Sequence, residues 1–447
     1  MRKIHLFKND LKLIVAAVDI LIYIASFYAM MIARFGTNPD QENIQAFSFM
    51  LPWFVITFVV LAMVYRIYSE YAEWNETLIS IGCIVALSLM LNLALTFLLR
   101  QFAVPRTLFA LSAFCQIIAL SLWRYYVWRR NMLLREPRRA LLIVQESQKD
   151  KIIESLRLNM SRTLMFADTI SFKSDEDIAE QWGEYASQHH EIEVVVFAPE
   201  VGQQTTLAIL DYCIKNQAQV LMVPNIYDVL IQNARLLSSG DLPLFQLGGL
   251  FERNYFIDIT KRLIDLVLSA LGIIILLPVL LFIAIMIKLD SKGPIFYRQT
   301  RVGQHNKHFN VYKFRTMVQN AEQLSGPVLA AEDDPRITRV GRFLRNTRLD
   351  EFPQLWNVLV GDMSIVGPRP ERPYFVDLIE EENPEFSYRH IVPTGITGLA
   401  QIEGRYSTLP EQKLSYDLIY AQSSSLIQDL VIMLRTLQVI FQKKKAS

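Results

Sequence analysis

Asp350 and Glu351 are adjacent carboxylates in the stretch RLDEFPQLWNVLVGDMSIVGPRP, residues 348–370, with Arg345 and Arg348 before them and Arg369 after. Acids framed by arginines suit two kinds of chemistry. In one, the charges neutralise each other on a surface helix and nothing reacts. In the other, arginines grip an anionic substrate, since a guanidinium offers paired donors to phosphate oxygens, and a carboxylate attacks it. Leu349, Phe352, Leu355, Trp356 and Leu359 recur at helical spacing. That spacing predicts a helix from about 350, with Pro353 in the first turn, where a missing N–H costs least. Asp350 then falls at or near the N-cap, where free amides and the helix dipole favour an anion. The residues alone leave capping and catalysis open. Neighbours on a helix point about 100° apart, so the two acids need not share one role. Arg369 is pinned between Pro368 and Pro370, a rigid setting for a side chain that only meets solvent.

More cations lie upstream. Arg298, Arg301, Lys307, Lys313 and Arg315 alternate with aromatic residues over 297–317, and Arg336, Arg339 and Arg342 precede Arg345. Some of these face lipid headgroups or solvent. A subset held near Asp350 would bind phosphate. The three cysteines are far apart and the six histidines scattered, so neither a zinc site nor a disulfide framework is expected.

The elements that must carry this site are partly membrane-bound. The chain of 447 residues is 52% hydrophobic, above the soluble norm of about 45–50%. Its net charge of +1 implies no nucleic acid or other polyelectrolyte partner. Four apolar stretches, 11–33, 47–68, 77–99 and 106–127, each approach the roughly 20 residues of a spanning helix. Lys and Arg crowd before the first and after the fourth, which places both ends of a four-helix unit in the cytoplasm despite Arg100 and Arg106 in the third loop. From 139 to 250 short apolar strands alternate with polar helical stretches, as in a small parallel sheet. Gln145-Glu146-Ser147 stands where a dinucleotide-binding turn needs glycine, so a Rossmann-like scaffold without nucleotide is expected. SSGDLPLFQLGGL, 238–250, reads as a linker. The apolar run 266–287 could cross a bilayer, but Lys261, Arg262, Lys288 and Lys292 flank it on both sides and Pro278 sits near its middle. A helix–break–helix that dips in and returns is expected over 258–290.

KRLIDL, KLDSKGPIFYRQTRVG, YKFRTM, LDEFPQLWNVLVGDMSIVGPRP and YRHIVPTGITGLAQI, in that order over about 258–440, resemble the successive motifs of the bacterial sugar transferase family. These are monotopic phosphoglycosyl transferases, and the preceding helices and α/β region resemble their long, polyprenyl-phosphate hexose-1-phosphate transferase subgroup. The resemblance implies transfer of a hexose-1-phosphate from a UDP-sugar to undecaprenyl phosphate with release of UMP, initiating polysaccharide synthesis. It implies Asp350 as nucleophile and carrier of a covalent phosphosugar, Glu351 completing a dyad, Mg²⁺ held by both, and substrate contacts from Lys313, Arg315, Arg345, Arg369 and Gln401. It also implies a re-entrant helix broken at a Ser-Pro pair, which here is Leu277-Pro278. The expected architecture is membrane α plus α/β: four transmembrane helices (1–135), a Rossmann-like cytoplasmic domain (136–250), and a mostly α catalytic domain (251–447) facing the cytoplasm at the bacterial inner membrane. Membrane lipid is a partner on this reading, and a homodimer is compatible with it. The rival is a non-catalytic membrane scaffold that regulates polysaccharide assembly.

Overall fold

The computed structural model describes residues 2–36, 40–69, 73–101, 104–134, 137–160, 163–188, 192–197, 201–232, 234–239, 242–246, 255–319, 334–404 and 409–442. The chain divides into two compact units, Met1–Asn225 and Ile226–Ser447. The boundaries expected near 135 and 250 lie outside the described residues, as do His189 and His190.

The first unit opens with α1 (Arg2–Phe35), α2 (Gln41–Val64), α3 (Trp74–Leu98) and α4 (Arg106–Leu134). Each follows one of the four apolar runs. Their core is aromatic, with Phe27 stacked on Phe54 at 5.0 Å and Phe109 edge-on to both. Asp19, the acid inside the first apolar run, is buried against Arg124 of α4, which bonds to both of its oxygens. Asn92 joins α3 to α1 and α2, donating to the Tyr23 hydroxyl and accepting from Thr57, each at 2.9 Å. Burying polar groups in an apolar bundle is tolerable only when they satisfy one another, as these do.

The rest of the unit is α/β: β1 (Arg138–Gln145), α5 (Lys149–Met160), β2 (Leu164–Phe172), α6 (Asp175–Gln188), β3 (Val194–Phe197), α7 (Gln203–Asn216) and β4 (Gln219–Met222). The strands are all parallel in the order β2-β1-β3-β4. The chain runs from β1 outward to β2 and then crosses back past β1 to β3, so the strand order reverses between the neighbours β1 and β3. β1 runs straight into a 3₁₀ turn, Glu146–Gln148, with no glycine. Strand β2 is not expected from the sequence. It is an edge strand whose exposed positions include Asp168 and Thr169, so it lacks the continuous apolar run of its neighbours.

The second unit begins with α8 (Ile226–Gln232), whose Val229 shares a core with Leu414 and Leu418. The stretch expected as a linker instead forms an antiparallel pair, β5 (Arg235–Ser239) and β6 (Leu242–Gln246). Its Ser, Gly and Pro content hides leucines at the period of a strand. Then comes α9 (Tyr255–Asp290), 36 residues long. A ribbon follows, β7 (Phe296–Val302) against β8 (His308–Phe314), with α10 (Arg339–Thr347), α11 (Gln354–Val360) and β9 (Ser364–Val366) after it. The remainder is α12 (Pro373–Glu382), a 3₁₀ stretch Pro384–Ile391, β10 (Gly395–Thr397) parallel to β9, α13 (Leu399–Glu403), α14 (Pro410–Ser423) and α15 (Leu426–Ile440).

Helix α9 stays helical through Pro278, so the expected break is not an interruption of the helix; a proline there can only bend it. Both of its ends are tied to the one unit. Near the start Lys261 pairs with Asp429 at 2.5 Å, Arg262 donates to the carbonyls of Val358 and Leu359, and Asp265 accepts from Ile365 N–H. Near the end Ile283 and Ile287 pack with Phe314 and Leu344, and Asp290 accepts from Val340 N–H. The middle is bare: protein buries 11% of its most apolar window, against 28–33% in α1 to α4. Five helices among the described residues are thus long and apolar enough to cross a membrane, and this one leaves most of its surface uncovered by protein.

Candidate active site

The dyad occupies a 3₁₀ turn, Leu349–Glu351, between α10 and α11. Helix α10 is capped by the Thr338 hydroxyl, which accepts from Gly341 N–H, and it ends at Arg348 in the left-handed region, φ 56°. Gly341 lets α10 lie backbone-to-backbone on Thr316, whose carbonyl occupies the space a Cβ would need. Helix α11 starts at Gln354 with Pro353 as its cap residue. The expected N-cap position of Asp350 is therefore corrected: the turn places it before the helix, and no backbone amide binds its side chain among the described residues.

Glu351 is the fixed member of the pair. Its Oε1 accepts from Lys313 Nζ at 2.7 Å and from Arg369 Nη2 at 2.5 Å, and its Oε2 from Arg369 Nη1 at 3.3 Å. Asp350 has no hydrogen bond among the described residues. The two carboxyls consequently diverge. Burial, then the Glu351 charge, push Asp350 up to about 6 against the pull of Lys313, Arg345 and Arg369. Burial works the same way on Glu351 but is overcome by Arg369 and Lys313, which hold it well below the usual carboxylate range. Pairs of acids driven apart like this are a mark of divided labour. In metal-free protein, ¹³C carboxyl titration is expected to show an aspartate with its midpoint at about 6 that is missing from Asp350→Asn and distinct from Asp417, which burial also pushes up to about 6. Lys313→Met should raise that midpoint, because a cation favouring the charged form is gone. A midpoint near the ordinary value of about 4 would contradict the arrangement.

The cations are placed from two sides. Lys313 comes from β8, opposite Tyr297 of β7. Asn357, fully buried on α11, accepts from Tyr312 N–H at 3.0 Å and donates to the Asn310 carbonyl at 2.7 Å, which aligns that strand with the dyad turn. Arg369 sits on the loop after β9. Close approach of Gly367 to Gly395 and Gly398 packs that loop onto β10 with no room for side chains.

A family profile described as bacterial sugar transferase matches residues 256–443. The exopolysaccharide production protein PSS of Rhizobium leguminosarum bv. phaseoli is 41% identical over 186 residues, 40% of this chain and 93% of that protein. The chain belongs to the bacterial sugar transferase family. The undecaprenyl-phosphate glucose phosphotransferase of Komagataeibacter xylinus is 32% identical over 327 residues, 70% of this chain and 61% of that one. The UDP-N-acetylgalactosamine-undecaprenyl-phosphate N-acetylgalactosaminephosphotransferase of Aeromonas hydrophila is 42% identical over 198 residues, 44% and 46% of the two chains. The chain thus spans 61% and 46% of the length of these last two relatives, less than two thirds of either.

Not every expected site residue of this family member converges on the dyad. Lys313 and Arg369 bond to Glu351, and Arg345 acts on Asp350 electrostatically while its Nε donates to the Thr316 hydroxyl at 2.9 Å. Arg315 instead donates to the carbonyl and hydroxyl of Ser291, fastening the loop after α9. Gln401 donates to the Ile396 carbonyl at 3.0 Å and has no bond to the dyad. Asn357, Arg301 and Arg389 stand inside the motifs without a role of their own being readable there, and Asp417 lies in no motif; the structure gives each a specific partner. Arg301 does stand in the basic 297–317 stretch, but its partners, the Pro370 carbonyl and Glu371, are distant in the chain.

No group of three or more His, Cys, Asp or Glu side chains suited to a metal occurs among the described residues. Magnesium held by one carboxylate with phosphate and water needs none. Asp350 fits such a role. Glu351, with both oxygens already bound by cations, does not in this arrangement.

Proposed function

We propose that this chain transfers a hexose-1-phosphate from a UDP-sugar to undecaprenyl phosphate, releasing UMP and passing through a sugar phosphate bound to Asp350. The observation that carries the reading is the divided dyad: one carboxylate clamped by two cations, the other unbonded and beside them. The names of relatives support the acceptor, and they differ in the sugar. Asp350 attacks the sugar-bearing phosphorus of the donor. The bond from that phosphorus to the bridging oxygen breaks, and UMP leaves with its electrons. An oxygen of the lipid phosphate then attacks the same phosphorus and the Asp350 carboxylate departs, so no proton need move in either step. Glu351 keeps Lys313 and Arg369 at the place where phosphate charge accumulates. Mg²⁺, carried by Asp350 and donor phosphate, would supply further charge neutralisation. Covalent catalysis suits a reaction whose two substrates arrive from different phases.

The membrane arrangement follows the same reading. α1 to α4 cross the bilayer, and the parallel sheet is a Rossmann-like scaffold in the cytoplasm. α9 enters and leaves on the cytoplasmic face, because charged anchors at both ends are held by one polar unit. Engineered cysteines at Ile259 and Lys292 are expected to label from the same side of sealed vesicles. Labelling from opposite sides would turn α9 into a fifth crossing.

The test of function is UMP release by purified protein over a panel of UDP-sugars, with and without undecaprenyl phosphate. One UDP-sugar should release UMP in an amount equal to enzyme before lipid is added. Absence of release with every donor would favour the regulatory scaffold.

A further inference from the structure

Arg389, in the 3₁₀ stretch before β10, and Asp417, on α14, form an ion pair at 2.8 Å with side chains 3% and 2% exposed. Around them lies an apolar core that includes Phe386, Val392, Leu414 and Leu418. The guanidinium stands over the Phe386 ring, 4.7 Å from its centre. Stability does not account for such a pair, since well-packed apolar residues in its place are often neutral or stabilising. Its outward bond is more informative. Arg389 Nη2 donates to the backbone carbonyl of Arg369 at 2.9 Å, while its Nε and Nη1 find no acceptor among the described residues.

That carbonyl belongs to a run of four, each held separately. Pro368 O accepts from Gly395 N–H and Glu371 O from Val302 N–H, both at 2.9 Å; Pro370 O accepts from Arg301 Nη1 at 3.0 Å. Only the Arg369 carbonyl is held by a charge sealed inside the core. Arg369 is also the residue whose guanidinium grips Glu351. A chain of contacts therefore runs from Asp417 through Arg389 and the loop backbone to Arg369, then to the dyad.

We propose that Arg389, braced by Asp417, is a positioning residue: it fixes the backbone of Arg369 so that the guanidinium meets Glu351 in the geometry that phosphoryl transfer requires. This rests on the transferase reading above. It acts on the chemical step and not on donor affinity, because neither side chain reaches the surface where a donor would bind.

The test compares Arg389→Met, Arg389→Lys and the double variant Arg389→Met/Asp417→Leu in the full-length protein in nanodiscs. The double variant removes both charges and refills the core, so its thermal midpoint should stay within a few degrees of wild type. Its burst of UMP should nevertheless slow by about 10- to 100-fold with KM for the UDP-sugar changed little, as expected for a displacement of order 1 Å at a catalytic site. Arg389→Lys, able to donate one bond to the same carbonyl, should recover part of that rate. Hydrogen exchange at the Gly395 and Val302 amides, which bond to the Pro368 and Glu371 carbonyls on either side, should quicken in the double variant. A double variant with the wild-type burst rate would overturn the proposal, since a merely structural pair is fully replaced by apolar packing. If wild type releases no UMP, the transferase reading fails and exchange alone decides: quickened amides support the brace, unchanged ones refute it.

Discussion

Asp350→Asn is expected to eliminate the burst of UMP, lowering turnover on the order of 10³-fold or more, because covalent catalysis depends on that one anion. The fold should not suffer. Helix α11 begins at Gln354, so no cap is lost. A carboxyl pushed up to about 6 by burial is one whose charge the folded state disfavours at neutral pH. A neutral amide of the same shape relieves that cost, and the thermal midpoint should be unchanged or slightly higher. Intact-protein mass spectrometry after quenching with UDP-sugar should show the mass of a hexose phosphate on wild type and nothing on Asp350→Asn. An adduct mapped to another residue, or a variant that still turns over, would end the proposal.

Glu351→Gln should fail differently, losing stability together with activity. Glu351 is the anion that Lys313 and Arg369 share. The amide oxygen can accept one of their bonds but cannot offset two charges. Removing one partner of a largely buried ion pair costs about 3 kcal/mol, so the thermal midpoint should fall by several degrees. Here the sign with pH is informative. Because its folded carboxyl lies well below the ordinary range, Glu351 contributes stability that is complete above the unfolded value and is lost as pH falls through the folded one. The gap in stability between wild type and Glu351→Gln should therefore narrow on acidification below about pH 4. Lys313→Met combined with Glu351→Gln should restore part of the midpoint and none of the UMP release. Restored release in that double variant would show that Glu351 acts only as a structural counter-charge.

Legibility followed sequence distance. Asp350, Glu351 and Arg369 lie within twenty residues of one another, and their residue types declare the chemistry. Lys313 stands out as one of a basic series, although nothing in the series says which member reaches the dyad. The four apolar helices show as long, mostly hydrophobic runs and the buried strands β1 and β3 as short unbroken ones, a signal that edge strand β2 lacks. Asp350 was legible as an N-cap for a sound local reason, yet Arg348 turns left-handed and inserts a 3₁₀ turn before the helix. Arg389 stands in the motif YRHIVPTGITGLAQI and Asp417 in none, and nothing in the sequence marks either as buried. Only folding brings α14 against the 3₁₀ stretch and seals them inside.

Helix α9 poses a problem of assembly during synthesis. It is the most apolar of the five, with a window hydropathy of 3.1, and an insertion machine that sorts segments by greasiness would send it across. The anchor that holds its start, Asp429, is 168 residues downstream of Lys261. At ribosomal speeds of 5–20 residues per second, that partner emerges roughly 10–30 s after Lys261 does. Until then, on the re-entrant reading proposed above, the segment has only its flanking lysines and arginines and Pro278 to keep it from threading through. Orientation would be decided by a race between translocation and folding, and slow translation late in the message would tilt that race toward the wrong side.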